Sequence, residues 1–405
     1  MSARLKPASK DCSKVSDSGE ILYFDNAATS WPKPPGVMEA MMNLVASGCA
    51  NPGRSGHRLS IATARSVYEA RENLSELLGI EDSLDIVFTL NATMALNLAL
   101  FGLLQPGDHV ITTSMEHNSV MRPLRALVSR GVQLTVLPCH ADGSFDPGLI
   151  ASAMRSSTKL FVMTHASNVT GTLMPVQEAG RICRELGLRF MVDAAQTVGA
   201  VPLAVRQLDV DLLAFTGHKG LYGPQGTGGL YVKKELQQLM KPLVLGGTGS
   251  LSEQESQPDF MPDRFESGTP NSPGLAGLAA AAAFIQSRGI ASIAAHERRL
   301  TEILLQGLLE IERVTVYGPK DGSGRTAVVS MNIQGASPSE VAQLLDEEYG
   351  ILVRPGLHCA PSAHRTVGTF PQGAVRFSMG LFHTEEQVAT VIRAVAALAR
   401  KFRKN

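Results

Sequence analysis

From Ile21 to about Val232, short apolar runs alternate with amphipathic stretches, and that rhythm narrows the fold sharply. It is the pattern of βα units stacked around a mainly parallel sheet. The predicted strands are residues 85–90 (DIVFTL), 109–114 (HVITTS), 133–138 (QLTVLP), 159–167 (KLFVMTHAS), 189–195 (RFMVDAA), 211–217 (DLLAFTG) and 228–233 (GGLYVK). Ala64, Val67, Ala70, Leu74 and Leu77 recur at helical spacing ahead of Gly79, and Val176, Ala179, Ile182 and Leu186 do so ahead of Gly187. Glycine readily takes the left-handed conformation that stops a helix, so both helices are expected to end there.

A polar, Pro- and Gly-rich region from residue 246 to 273 breaks the rhythm, and a long Ala/Leu/Glu/Arg-rich helical stretch follows from about Leu275 to Glu312. Beyond it come a strand (327–333) and a helix opened by Ser337, Pro338 and Glu340 as cap, first-turn proline and capping-box partner. A second strand (374–380) leads to Thr384 and Gln387, which repeat the capping logic. The expected organisation is a polar N-terminal tail (1–20), a large domain (21–280) and a smaller α+β domain (281–405).

Charge excludes several function classes. With 37 Lys+Arg against 37 Asp+Glu the formal net charge is zero, so the chain lacks the basic surplus that nucleic acid or an anionic membrane surface demands. Five cysteines, at 12, 49, 139, 183 and 359, form no CxxC pair; neither a disulfide framework nor a structural zinc site is indicated, and a reducing cytoplasm fits. The first twenty residues carry both charge signs and no apolar core of a secretory signal. The most apolar stretch, Leu275 to Ile285, is about half the ~20 residues a membrane-crossing helix needs.

In open parallel sheets ligands gather at the carboxyl ends of the strands. DLLAFTG runs directly into His218 and Lys219 before a glycine-rich turn, and RFMVD ends on Asp193. Taken singly, Lys219 also suits a solvated turn and Asp193 an exposed strand end. Together they form the pair that pyridoxal 5′-phosphate requires: a Schiff-base lysine and an acid that keeps the pyridinium nitrogen protonated. His117 follows HVITTSME, placed either to lie against a cofactor ring or to hydrogen-bond at a strand end. Asn91, Ala92 and Thr93 open another helical stretch, offering N–H groups and a hydroxyl to a phosphate. Cys359 lies in the loop RPGLHCAPSAH (354–364), beside Arg354 and His358, cations that would favour a nucleophilic thiolate. An unremarkable loop cysteine is the other reading. Cys183, on the apolar face of a helix, reads as packing. His358, Cys359 and His364 lack a second ligand pair of the usual zinc spacing, so no metal is expected.

YFDNAAT (23–29), SMEHNS (114–119), ASNVTG (166–171), VDAAQ (192–196), TGHK (216–219), FESGTPN (265–271) and RPGLHCA (354–360) resemble, in order, the motifs of cysteine desulfurases and selenocysteine lyases. These belong to the class V branch of the fold-type I pyridoxal-phosphate enzymes, and the similarity spans about residues 21 to 400. The resemblance implies an α/β fold-type I transferase with a mainly parallel seven-stranded sheet and a smaller α+β C-terminal domain carrying the cysteine loop. It implies that Lys219 bonds the cofactor, Asp193 pairs with its ring nitrogen, His117 stacks on the ring and Gln196 meets its phenolic oxygen. Ala92, Thr93, Thr216 and His218 look like the phosphate cradle, although short-loop members often have two adjacent threonines where this chain has Ala92 then Thr93. Thr269 resembles a threonine supplied by the partner subunit, which implies a homodimer. Asn168, Arg376, Arg354, His57 and Ala28 match the substrate pocket, with Arg376 clamping the carboxylate.

The implied reaction converts L-cysteine to L-alanine and leaves a persulfide on Cys359, from which a thiol or a sulfur-acceptor protein takes the sulfur. L-selenocysteine is the close alternative substrate. A class V aminotransferase without a catalytic thiol and a cofactor-loaded scaffold that only holds sulfur carriers are the readings from other classes.

Overall fold

The computed structural model describes residues 21–53 and 55–403 of the 405; the expected polar tail and Cys12 lie outside the described residues. A two-residue strand, β1 (Leu22–Tyr23), comes first. The main sheet follows from β2 (Ile86–Thr89), β3 (His109–Thr113), β4 (Gln133–Leu137), β5 (Thr158–Thr164), β6 (Arg189–Asp193), β7 (Leu212–Thr216) and β8 (Gly228–Val232). Its order is β2-β8-β7-β6-β5-β3-β4, parallel throughout β3 to β7, with β8 antiparallel to both neighbours.

The strand side chains alternate between two apolar layers. Phe161, Met163, Phe190, Val192, Leu213 and Phe215 face the layer closed by the helices Arg58–Leu78, Val176–Glu185 and Ser272–Arg288. Leu160, Val162, Met191, Leu212 and Ala214 face the helices Ala92–Leu103 and Asn118–Val128. Burial on both faces is why these strands read as nearly unbroken apolar runs.

A second core forms on the four-stranded antiparallel sheet of β9 (Val314–Tyr317), β10 (Val328–Ile333), β12 (Arg354–Gly356) and β13 (Ala374–Ser378), in the order β12-β13-β10-β9, and β11 (Ile351–Leu352) pairs in parallel with β1. Leu22 and Phe24 pack in this second core, although their sequence position groups them with the first. A two-residue strand has too little ladder of its own and pairs where β11 offers an edge, which carries the following Phe24 into that core.

The single long helical stretch expected after residue 275 is two helices, Ser272–Arg288 and Ile290–Leu309, bent by 80° at Gly289. Gly289 has φ +79°, a value that suits glycine. Ala281, Ala282 and Ile285 of the first half pack in the sheet core, and Leu300 and Leu304 of the second in the C-terminal core. Among the described residues no single helix is long and apolar enough to cross a membrane; this bent pair passes by length and composition together, with these residues buried in protein.

Gly79 caps Arg58–Leu78 in the left-handed conformation, whereas Val176–Glu185 ends on Leu186 with left-handed Gly187 one residue later. Thr384 and Gln387 form the full reciprocal box. At Ser337 only the serine half forms, accepting the Glu340 N–H. The expected loop around Cys359 is a tight turn between β12 and the short helix Pro361–Thr366.

Candidate active site

The carboxyl ends of β3, β5, β6 and β7 open on one cleft of about 490 Å3, lined by Ala92, Thr93, His117, Ser119, Asn168, Asp193, Gln196, Thr216, His218 and Lys219 among others. Strand pairing explains the convergence: Thr164 of β5 registers with Asp193 of β6, and Asp193 with Ala214 of β7, so the residues that leave these strands stand side by side.

Asp193 is 4% exposed, and its Oδ1 accepts the Ala195 N–H at 3.0 Å. It has no salt-bridge partner among the described residues. Burial raises its pKa, while the Ala195 N–H and the Lys219 charge pull the other way. Desolvation dominates at Lys219 as well and lowers its pKa to about 8, against the attraction of Asp193. A buried carboxylate facing a cleft calls for a cation in that cleft.

The anion-binding side is equally defined. Asn91 caps the helix Ala92–Leu103 by accepting the Met94 N–H at 3.0 Å, which leaves the first-turn N–H groups at the cleft. Thr93 Oγ1 and Ser119 Oγ lie 2.7 Å apart at the same end. His218 keeps a buried Nδ1 without a partner, while its backbone carbonyl accepts the Ser30 N–H. Burial and the nearby Lys219 charge lower the His218 pKa to about 4, so the ring is neutral.

His117 caps the helix Asn118–Val128: its Nδ1 accepts the Ser119 N–H at 3.0 Å. Burial first, then the charges of Lys219, Arg354 and Arg376, lower its pKa to about 3. A neutral ring accepting at Nδ1 carries its proton on Nε2. Gln196 Nε2 donates to the Ala27 carbonyl at 3.2 Å, which brings the Ala27–Ala28 turn toward the cleft.

Arg376 is fully buried: Nη2 pairs with Asp25 at 2.7 Å, Nη1 donates to the Asn168 carbonyl at 3.0 Å, and Nε has no partner. Asn168 Nδ2 in turn donates to the His358 carbonyl at 2.7 Å. The Cys359 carbonyl accepts the Asn118 N–H at 2.9 Å, next to His117. Cys359 is exposed, and Arg354 Nη2 lies 3.6 Å from its Sγ. His358 is not the cation the sequence suggested: burial holds its pKa down to about 2, leaving Arg354 as the charged group in contact with the thiol. Cys183 contrasts with it, buried in a helix with its thiol pushed up to about 12 by burial.

Thr269 and His57 do not join the cleft within one chain. Thr269 lines a separate, largely apolar cleft of about 910 Å3 with Phe88, Leu90, Leu243 and Val244, and its hydroxyl accepts from Asn51 Nδ2 at 3.1 Å. His57 is exposed and caps the helix Arg58–Leu78. The Thr269 segment is held by Arg71, whose guanidinium meets both oxygens of Glu266 at 2.9 Å while Phe88 N–H donates to Glu266 Oε1 at 2.6 Å.

Sequence reasoning assigned no role to Asp25, Glu116 or Ser119, all of which sit inside the quoted motifs. Glu116 is fully buried with its pKa raised to about 8 by desolvation; Oε1 accepts from Thr113 Oγ1 and Thr164 N, tying β3 to β5 beneath the cleft. Each lies within three residues of a candidate, Asp25 of Ala28 and both Glu116 and Ser119 of His117, and that proximity is the signal that would have found them. Among the described residues no cluster of His, Cys, Asp and Glu is arranged to hold a metal ion.

The family description "Aminotransferase class-V" matches residues 22–391. A probable cysteine desulfurase of Methanothermobacter thermautotrophicus is 37% identical over 372 residues, 91% of this chain and 92% of the relative. The apo structure of a cysteine desulfurase from Thermococcus onnurineus superposes with a TM-score of 0.89 at 35% identity, covering 94% of this chain and 95% of that one. The cysteine desulfurase CsdA of Escherichia coli gives 0.83 at 30% identity over the same shares. Class V aminotransferases are in general pyridoxal-phosphate enzymes. With that sheet, that cleft and similarity along nearly its whole length, the chain belongs to the class V aminotransferase family, in its cysteine desulfurase group.

Proposed function

We propose that the protein binds pyridoxal 5′-phosphate in the cleft and converts L-cysteine to L-alanine, receiving the sulfur on Cys359. The observation that carries the reading is the convergence of a buried carboxylate without an ion-pair partner among the described residues, an amine of lowered pKa and an exposed thiol held beside a guanidinium. The residues present fit the cofactor: Asp193 would meet the ring nitrogen, His117 the ring face, and Gln196 the phenolic oxygen. Thr93, Thr216, His218 and the helix N-terminus after Asn91 would hold the phosphate, and Lys219 Nζ the covalent link. When bound, the cofactor supplies an electron-withdrawing ring that stabilises negative charge at the substrate's Cα.

The chain's own groups do the rest. Lys219 Nζ, with a pKa near 8, is matched to taking and returning a proton at neutral pH. Arg376 Nε, one of the buried N–H groups without a partner among the described residues, would donate to a substrate carboxylate. Cys359 Sγ, 3.6 Å from Arg354 Nη2, forms the S–S bond to the substrate sulfur as the substrate's Cβ–S bond breaks. That electron pair stays with the substrate carbon, which gains a proton and leaves as alanine. Incubating the purified protein with L-cysteine and mapping its peptides by mass spectrometry should show one added sulfur on the Cys359 peptide; alanine formed with sulfur on no cysteine would remove this route.

The active unit is a homodimer in this reading. Its support is that Thr269 and His57 stand outside the cleft in one chain, and that Met38, Met42 and Val45, spaced along one helix face, leave 57%, 66% and 58% of their surface exposed. Leu245, near the Thr269 segment, is 69% exposed. Apolar faces of this kind are usually covered by a partner. Sedimentation at micromolar concentration should give twice the chain mass; a monomer with full activity would refute it. The sulfur acceptor is a thiol or a partner protein reaching the exposed Cys359, in a reducing cytoplasmic setting.

A further inference from the structure

His358 and Cys359 both have left-handed backbones, with φ of +49° and +59°. That conformation is strained for a residue with a Cβ, so two in succession persist only where the surroundings hold them. A run of hydrogen bonds does this behind the thiol. His358 Nε2 meets the Arg354 carbonyl at 2.9 Å, His358 Nδ1 meets His364 Nε2 at 3.2 Å, and His364 Nδ1 meets Thr369 Oγ1 at 2.6 Å.

The proton positions follow from one end. A carbonyl only accepts, so His358 must donate from Nε2, and as a neutral ring it then accepts at Nδ1. His364 must therefore donate from Nε2 and accept at Nδ1, which leaves the Thr369 hydroxyl as donor. Burial keeps both rings neutral, with pKa values lowered to about 2 and about 4. The groups facing the pair from other elements, Arg376 and Arg354, are cations that disfavour a further positive charge. His364 and Thr369 touch neither the cleft nor the thiol; they act through the His358 ring, which belongs to the residue next to Cys359.

We propose that His364 and Thr369 are positioning residues for sulfur transfer: through His358 they hold the Cys359 turn in the left-handed conformation that presents Sγ beside Arg354. This rests on Cys359 being the sulfur acceptor. It separates two half-reactions, because Lys219 follows β7 whereas the thiol stands on the turn after β12. A misplacement of the thiol by about 1 Å costs on the order of 100-fold in rate.

The test follows two signals in the holoenzyme supplied with L-cysteine in D2O: exchange of the substrate Cα hydrogen, which reports Lys219, and single-turnover loading of sulfur on Cys359, read by mass spectrometry. His364→Phe and Thr369→Val should load sulfur about 10- to 100-fold more slowly, with Cα exchange within twofold of the parent. Thr369→Ser, which retains the hydroxyl, should restore loading. The rate of Cys359 alkylation by iodoacetamide, measured without substrate, should shift in the first two variants and not in the third. Loading by Thr369→Val at the parental rate overturns the inference, as does an equal fall in Cα exchange and loading, which marks a general defect of the fold. A parent enzyme that turns over L-cysteine with no sulfur on Cys359 overturns the underlying reading instead, and this inference with it.

Discussion

Lys219→Ala is expected to lose the visible absorption of the reconstituted protein and to lower alanine formation from L-cysteine by about 10^2- to 10^4-fold, the range that proton transfer by a positioned group contributes. The argument is local. Lys219 lies three residues beyond Thr216, the end of β7, and lines the cleft that Asp193 also faces. Desolvation brings its pKa to about 8, so an appreciable fraction of free amine is present near neutral pH. Lys219→Arg should not rescue it, because a guanidinium stays protonated and forms no such bond to a carbonyl carbon. Borohydride treatment of the parent should fix the cofactor to the Lys219 peptide. A label on another lysine, or a Lys219→Ala variant within tenfold of parental turnover, would defeat the assignment.

The second large effect is on sulfur. Cys359→Ser should reduce turnover of L-cysteine by about 100-fold or more, since removing a nucleophile that acts within a catalytic unit forfeits most of that unit's contribution. Its Cα exchange should survive, because Lys219 is untouched. Selenium leaves carbon more readily than sulfur, so the same variant should retain far more activity on L-selenocysteine. Measuring both substrates with parent and variant checks this, and a Cys359→Ser enzyme that releases alanine from L-cysteine at the parental rate would show that the thiol takes no part. Stoichiometric conversion of a 2-oxo acid into an amino acid would instead support aminotransfer.

The seven strands of the main sheet were legible to within a few residues because each leaves a short, largely apolar run bounded by turns, nearly unbroken where the strand is buried on both faces. Lys219 and Asp193 were legible for the same reason: each ends such a run. The break at Gly289 was not, since helical periodicity passes through a lone glycine and the 80° bend follows from each half packing in a different core. Nor could sequence place the charge at Cys359 on Arg354 alone, because the neutrality of His358 comes from burial.

By itself, then, the amino-acid order determined the βα rhythm, the strand-end positions of the amine and the carboxylate, and a cysteine between Arg354 and His364, because these follow from local periodicity and chemical type. Only the tertiary structure decided that Asp25 pairs with Arg376 across 351 residues, that Arg71 holds Glu266, that Thr369, His364 and His358 are joined by hydrogen bonds next to Cys359, and that Thr269 and His57 stand outside the cleft in a single chain. Those contacts depend on which surfaces leave water together, a property of the packed chain that no short stretch of it carries.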